Sequence, residues 1–200
     1  MPERVPNHME AVAAIEPDTA LMLRVKAGDG ASFGLLLERH RGPVIHFLYR
    51  MVQNPAVAEE LAQEVFLRVY RARTSYVPSA RFTTWLFRIA FHLALNNLRD
   101  ARGERAAGSL DEETGDGPQF QVADRSPSVE QRLVEDARLA EVRRAIRALP
   151  DNQRAAVLMH KYEEMGYAQI AQVLDCSESA VKSLLFRAYE TLRARLAHMG

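Results

Sequence analysis

Residues 168–196 read AQIAQVLDCSESAVKSLLFRAYETLRARL, and they decide the fold. Apolar residues recur at Ile170, Leu174, Val181, Leu184, Leu185 and Leu192. The spacing is helical on both sides of a short break, which predicts a helix over 167–174, a turn over 175–177 and a second helix from Glu178. Ala171 is small where the two helices must cross closely, and Cys176 can plug the gap between them. Ser177 is a natural N-cap for the second helix, and Glu178 suits its first turn. The pattern is a helix-turn-helix. The outer face of its second helix carries Ser177, Glu178, Ser179, Lys182, Ser183, Phe186 and Arg187. Hydroxyls and cations on one helical face can reach phosphates and base edges in a major groove. An ordinary helical hairpin with a solvated polar face fits the same stretch.

Outward from there, the chain stays helical. Before the helix-turn-helix, residues 129–149 are amphipathic through Leu133, Val134, Leu139, Val142 and Ile146; Pro150 ends that helix and Asp151 can cap another over 153–161. Toward the N-terminus, residues 81–102 form a long helix with Phe82, Trp85, Leu86, Ile89 and Leu93 as its apolar stripe. Residues 75–80 form a loop, and 56–74 another strong helix lined by Val57, Leu61, Val65 and Val69. Asn54-Pro55 is a turn. Gly42-Pro43 is expected to interrupt the preceding helix, with a new one starting at Pro43. Asp29 can cap that preceding helix, and Asp18 a short helix over 19–27 that stops at Gly28.

Residues 1–17 hold three prolines and little periodicity, and read as a mobile tail. Residues 103–128 are rich in Gly, Ser, Pro and acid, and read as a flexible linker. The fold class is therefore all-α: two small helical domains, 18–102 and 129–200, joined by an acidic linker. The C-terminal one is a helix-turn-helix, winged-helix-like without strands.

A formal net charge of +0 hides a segregation. Residues 65–102 carry seven arginines against Asp100 alone, a net +6. Residues 103–130 carry seven acids against two arginines, a net −5. A basic stretch beside an acidic one points to nucleic acid on one side and self-screening on the other. No apolar run approaches the ~20 residues of a membrane span. The N-terminus lacks the pattern of a signal peptide. A single cysteine excludes an internal disulfide and suits a reducing cytoplasm. No Cys/His group has zinc-ligand spacing, so neither a metal nor a cofactor is expected, and no clustered acid, base and nucleophile suggests an enzyme or a small-molecule substrate.

The N-terminal domain carries two further signals. The helix AVAEELAQEVFLRVY presents Glu59, Glu60, Gln63 and Glu64 beside Leu67, a surface suited to a basic partner, although acidic helix faces are commonly just solvated. In RARTSYVPSARFTTWLFRIA, arginines alternate with Tyr76, Phe82, Trp85 and Phe87. Rings stack on bases while arginines hold phosphates, which suits a single strand. Phe82 and Trp85 equally suit a core.

These blocks together resemble the bacterial RNA polymerase sigma factors of the extracytoplasmic-function (ECF) group. The resemblance covers roughly 29–102 and 133–196. It rests on AEELAQEVFLRVYRA and the F-x-T-W-L-x-R-I-A stretch at 82–90, followed by LPDNQRAAVLMHKYEEMGYAQIAQVLDCSESAVKSLLFRA. The family likeness implies that Glu59, Glu60, Gln63, Glu64 and Leu67 dock on the clamp coiled coil of core polymerase, with the flap as a second contact. It implies that Arg73, Tyr76, Ser79, Arg81, Phe82, Trp85, Arg88, His92 and Asn96 capture and line the path of the melted −10 strand. The seven residues of the recognition helix would read the −35 duplex. The linker would thread polymerase near the RNA exit path. An anti-sigma factor, often membrane-anchored, would control a protein that is cytoplasmic or held through it at the inner membrane. Three positions depart from the pattern: His92 stands where Asn is usual, and Leu184 and Tyr189 where Arg is frequent. The −35 site then rests on fewer charges. A polymerase-independent DNA-binding regulator and an enzyme using His or Cys chemistry are the alternatives.

Overall fold

The computed structural model describes residues 16–106 and 129–199. The expected tail and linker fall mostly outside these residues. Among the described residues eight α-helices follow in order: α1 (Pro17–Lys26), α2 (Gly30–Val52), α3 (Pro55–Arg71), α4 (Phe82–Ala106), α5 (Val129–Arg147), α6 (Asp151–Tyr162), α7 (Tyr167–Leu174) and α8 (Glu178–Leu196). A 3-10 turn, Ala72–Ser75, follows α3. No strand occurs among the described residues.

In the first half, α2 packs on α1, α3 and α4. Phe47, Leu48, Met51, Val65, Val69, Leu86 and Phe87 are fully or almost fully buried between them. Two local expectations change. The helix over 30–52 runs through Pro43 without a break. A proline inside a helix costs ~3 kcal/mol, but Leu36, His40, Val44 and Phe47 on both sides of it are buried and hold the helix in line. Asp18 does not cap α1. Glu16 does, accepting from the backbone N–H groups of Asp18 and Thr19 at 3.3 and 3.1 Å. Asp18 is instead buried as a tie from α1 to α2, accepting from His40 Nε2 at 2.8 Å and from the Arg39 guanidinium. Asp29 caps α2 as expected, accepting from Ala31 and Ser32.

In the second half, α6, α7 and α8 pack on one another around Ile170, Val173, Val181, Leu185 and Ala188. The helix-turn-helix has the bounds expected from the sequence. Asp175 takes a left-handed conformation (φ 53°) at the end of α7, and the Cys176 N–H returns to Ala171 O at 3.0 Å. Ser177 Oγ accepts from the Ala180 N–H at 3.2 Å and starts α8.

The two halves are packed against each other. Helix α7 lies along α4, and α6 lies against α2. The contact is part apolar and part polar. Arg154, 7% exposed, donates to Met51 O of α2 at 2.6 Å and to Arg147 O and Leu149 O at 2.6 and 3.1 Å. It thereby satisfies carbonyls that helix C-termini leave without partners. Burial pushes the Arg154 guanidinium below its ordinary value, while Asp151 opposes that. Asp151 also pairs with Arg102 of α4 at 2.9 Å. The Arg50 guanidinium sits 4.0 Å over the Tyr162 ring, and Gln169 Nε2 donates to Thr84 Oγ1 at 3.3 Å.

Candidate nucleic-acid interface

Helix α8 presents Glu178, Ser179, Lys182, Ser183, Phe186 and Arg187 outward, all exposed. Their spacing follows from burial of Val181, Leu185 and Ala188 on the opposite side. Phe186 is 67% exposed, unusual for a ring without a partner. Lys182 Nζ stands 5.8 Å from the Tyr167 ring centre, and Arg187 Nε donates to Ser183 O at 3.2 Å. Ser177 is committed to its cap. Ser179 Oγ lies 2.9 Å from Ser177 Oγ, and Ser183 Oγ donates to Ser179 O at 3.0 Å. An exposed helix with two cations and two hydroxyls has the form of a major-groove reader. Burial and the Asp175 carboxylate push the Cys176 thiol up, which keeps it protonated and unreactive.

The residues expected along a melted strand divide. Tyr76, Ser79, Trp85 and Arg88 line one cavity of about 200 Å³, together with Val77, Ala80, Thr84 and, from α7, Gln172. The Tyr76 and Trp85 rings lie 4.9 Å apart in its wall. Lys26 at the end of α1 fixes the loop by donating to Tyr76 O at 2.7 Å. Tyr76 itself is buried, which pushes its hydroxyl above the ordinary value. Phe82 is fully buried against His40 and Trp85, so it supports the cavity from behind and offers no face to a base. Arg73 lies over the Tyr70 ring at 4.1 Å and donates to Tyr70 O. Arg88, His92 and Asn96 continue outward along one exposed stripe of α4. Arg81 faces a second cleft with Glu16, His40, Glu163 and Glu164. In it, burial pushes the Glu163 carboxyl up to about 7, against the pull of Arg50.

On α3, Glu60, Gln63 and Leu67 are exposed and share a face. Glu64 pairs with Arg68 at 2.7 Å and Glu59 with Arg41 at 3.1 Å, so these two acids have partners within the chain. Thr84, Val77 and Gln172 were not singled out from the sequence. Thr84 enters the sequence reading only as the T of the F-x-T-W stretch, with no role attached, and Gln172 reaches the cavity only because α7 packs on α4. Among the described residues no His/Cys/Asp/Glu group is arranged to hold a metal, and no helix is long and apolar enough to cross a membrane.

Residues 36–104 match the family model of Sigma-70 region 2, and residues 139–192 that of Sigma-70, region 4. The chain is 33% identical over 181 residues to the RNA polymerase sigma-H factor of Pseudomonas aeruginosa, covering 88% of this chain and 92% of that one. It is 32% identical over 178 residues to the ECF RNA polymerase sigma-E factor of Escherichia coli K12, with the same coverage of 88% and 92%. Among solved structures it is similar to CnrH in complex with the cytosolic domain of CnrY, with a TM-score of 0.65 and 26% identity over 92% of this chain and 100% of that one.

Proposed function

We propose residue-level roles for a chain that belongs to the sigma-70 family of RNA polymerase sigma factors, in its extracytoplasmic-function group. It is a transcription initiation factor that works with core RNA polymerase on promoter DNA. The division of labour proposed here gives α3 the docking surface through Glu60, Gln63 and Leu67, on the clamp coiled coil. The cavity on Tyr76, Ser79, Trp85 and Arg88 takes an unstacked base of the −10 element, and Arg88, His92 and Asn96 guide the strand. Helix α8 reads the −35 duplex through Ser179, Lys182, Ser183, Phe186 and Arg187. Unstacking costs a few kcal/mol per base. Stacking on a ring returns ~1–3 kcal/mol per base and is indifferent to sequence, so the half-buried Trp85 ring, backed by the buried Tyr76, can offset the cost. The polymerase supplies the chemistry, and we assign the chain no catalytic step.

The observation that supports this reading is the pairing, in one chain, of an exposed recognition helix with a separate ring-walled cavity beside an arginine stripe. One suits duplex and the other suits single strand. Control by an anti-sigma factor belongs to the same proposal, supported by a solved relative held in complex with a cytosolic domain of another protein. The chain itself would then act in the cytoplasm, at the membrane only through such a partner. Run-off transcription with core polymerase on a genomic promoter library tests the reading. Transcripts that depend on the chain and start at a fixed distance from shared −35 and −10 sequences are expected. DNA binding with no polymerase-dependent transcript would overturn it in favour of a polymerase-independent regulator.

A further inference from the structure

The loop over 76–81 hangs between two fixed ends, and a residue outside it holds one of them. Tyr76 marks the near end. Its side chain is 4% exposed and its ring lies 4.9 Å from that of Trp85. At the far end Phe82 is fully buried as the first residue of α4. Between them Val77, Ser79 and Ala80 line the cavity. This stretch has little backbone order of its own. Pro78 has no N–H to give, and the Ser79 N–H turns back to Val77 O at 2.8 Å. The Tyr76 carbonyl lies in the same rigid peptide plane as the Val77 N–H. Whatever orients that carbonyl orients the start of the cavity wall.

Lys26 of α1 does so. Its Nζ donates to Tyr76 O at 2.7 Å, across 50 positions of sequence. Two plainer roles for a lysine in the last turn of a helix are already filled. The N–H groups of Ala27, Gly28 and Asp29 return to the carbonyls of Leu23, Val25 and Arg24, so α1 closes its own C-terminus. Asp29, the acid nearest in sequence, is engaged by Arg24 at 2.7 Å. Lys26 instead meets a neutral carbonyl of another element, although ordering its long stem costs entropy. Helix α1 is a firm base for that reach, because the buried Asp18 ties it to His40 of α2 at 2.8 Å. Lys26 itself is not among the residues that line the cavity.

We propose that Lys26 is a specificity-determining positioning residue: by holding the Tyr76 carbonyl it sets the wall formed by Val77, Ser79 and Ala80, and so decides how sharply the cavity discriminates among unstacked −10 bases, without touching DNA. This rests on the reading of the cavity given above. Discrimination needs wall groups held in place, because a wall that moves accommodates the wrong base as well as the right one. Loss of the tie therefore leaves polymerase docking and −35 reading intact and blunts the choice of base.

The test uses the full chain assembled with core polymerase, on a promoter recovered in the run-off experiment, with each −10 base replaced in turn. Lys26→Met keeps the stem and removes the donor. Lys26→Arg keeps a cation that can reach the carbonyl. Circular dichroism checks the folding of both. In Lys26→Met, the ratio of transcription between the preferred base and its replacements should fall about five-fold at one −10 position, the scale of one hydrogen bond from an exposed charge. Lys26→Arg should restore most of it. The ratios at −35 positions and the salt slope should not change. A second readout needs no DNA. Trp85 is the only tryptophan in the sequence, so acrylamide quenching of its fluorescence in the free chain should rise in Lys26→Met and not in Lys26→Arg. A uniform loss on every promoter variant, with a salt slope lower by about one, would make Lys26 a phosphate contact and overturn the proposal. Unchanged discrimination overturns it as well, and so does unchanged quenching. Failure of the functional reading looks different: the parent chain itself gives no transcripts or discriminates at no −10 position, and the proposal falls with it.

Discussion

At the scale of single residues, the surface of α3 and the outer face of α8 carry the sharpest expectations. Leu67 is 42% exposed on a helix whose other side is buried, so Leu67→Asp should leave the helix intact and weaken co-purification with core polymerase at least ten-fold, the scale of about 1.4 kcal/mol at an interface anchor. Glu64 is a poorer probe, because its pairing with Arg68 means that Glu64→Arg also disturbs α3 itself. Lys182→Ala and Arg187→Ala should reduce promoter-specific transcription. The loss is ~1–3 kcal/mol if the lost contact is to a base. A phosphate contact costs less and lowers the salt slope by about one. Footprinting and salt titration on −35 DNA distinguish the two, and an unchanged affinity in both variants would remove α8 from that role. Glu163 adds a pH dependence. Its value in the structure, about 7, lies above its ordinary 4.5. The stability it contributes is thus fully present below about 4.5 and is lost as pH rises through 7. After allowance for solvent at the rim, the parent should gain on the order of 1 kcal/mol relative to Glu163→Gln between pH 8 and pH 5. Urea midpoints of both proteins at the two pH values check the sign.

At the scale of elements, the helix-turn-helix depends on two backbone devices. Asp175 ends α7 in the left-handed region, and Ser177 begins α8 with its hydroxyl on the Ala180 N–H. Ser177→Ala should therefore cost about 1 kcal/mol of stability through the lost cap, read from thermal unfolding, and more in −35 binding than its hydroxyl alone explains if α8 frays where it meets DNA. Ser177→Asp should restore the cap and much of the stability. Helix α2 teaches the opposite lesson about local signals. Gly42-Pro43 has the form of a helix break, yet the helix is continuous because its buried side chains on either side of Pro43 outweigh the missing hydrogen bond. A local breaker was visible, and the packing that overrides it was not.

At the scale of the whole molecule, the two halves are packed on each other, α7 on α4 and α6 on α2. Helix α7 packs onto α4, while Glu60, Gln63 and Leu67 of α3 stay exposed. Labels introduced by Ser75→Cys and Ser183→Cys in a Cys176→Ser background should report a single short distance in the free chain and a longer one with core polymerase. The same distance in both states would mean that closure persists on the enzyme. Much of this protein was legible in its sequence: the all-helical class, the bounds of α7 and α8, the exposed face of α8 and the exposed stripe on α4. These follow from hydrophobic period and capping chemistry, which act over a few residues and are written in neighbouring letters. Only the tertiary structure decided which of Tyr76, Phe82 and Trp85 line the cavity, that Asp18 ties α1 to His40, that Arg154 clamps carbonyls of both halves, and that Gln172 of α7 stands at the same cavity. Those outcomes depend on contacts between residues tens of positions apart, where packing and desolvation select the partner and no local pattern records it.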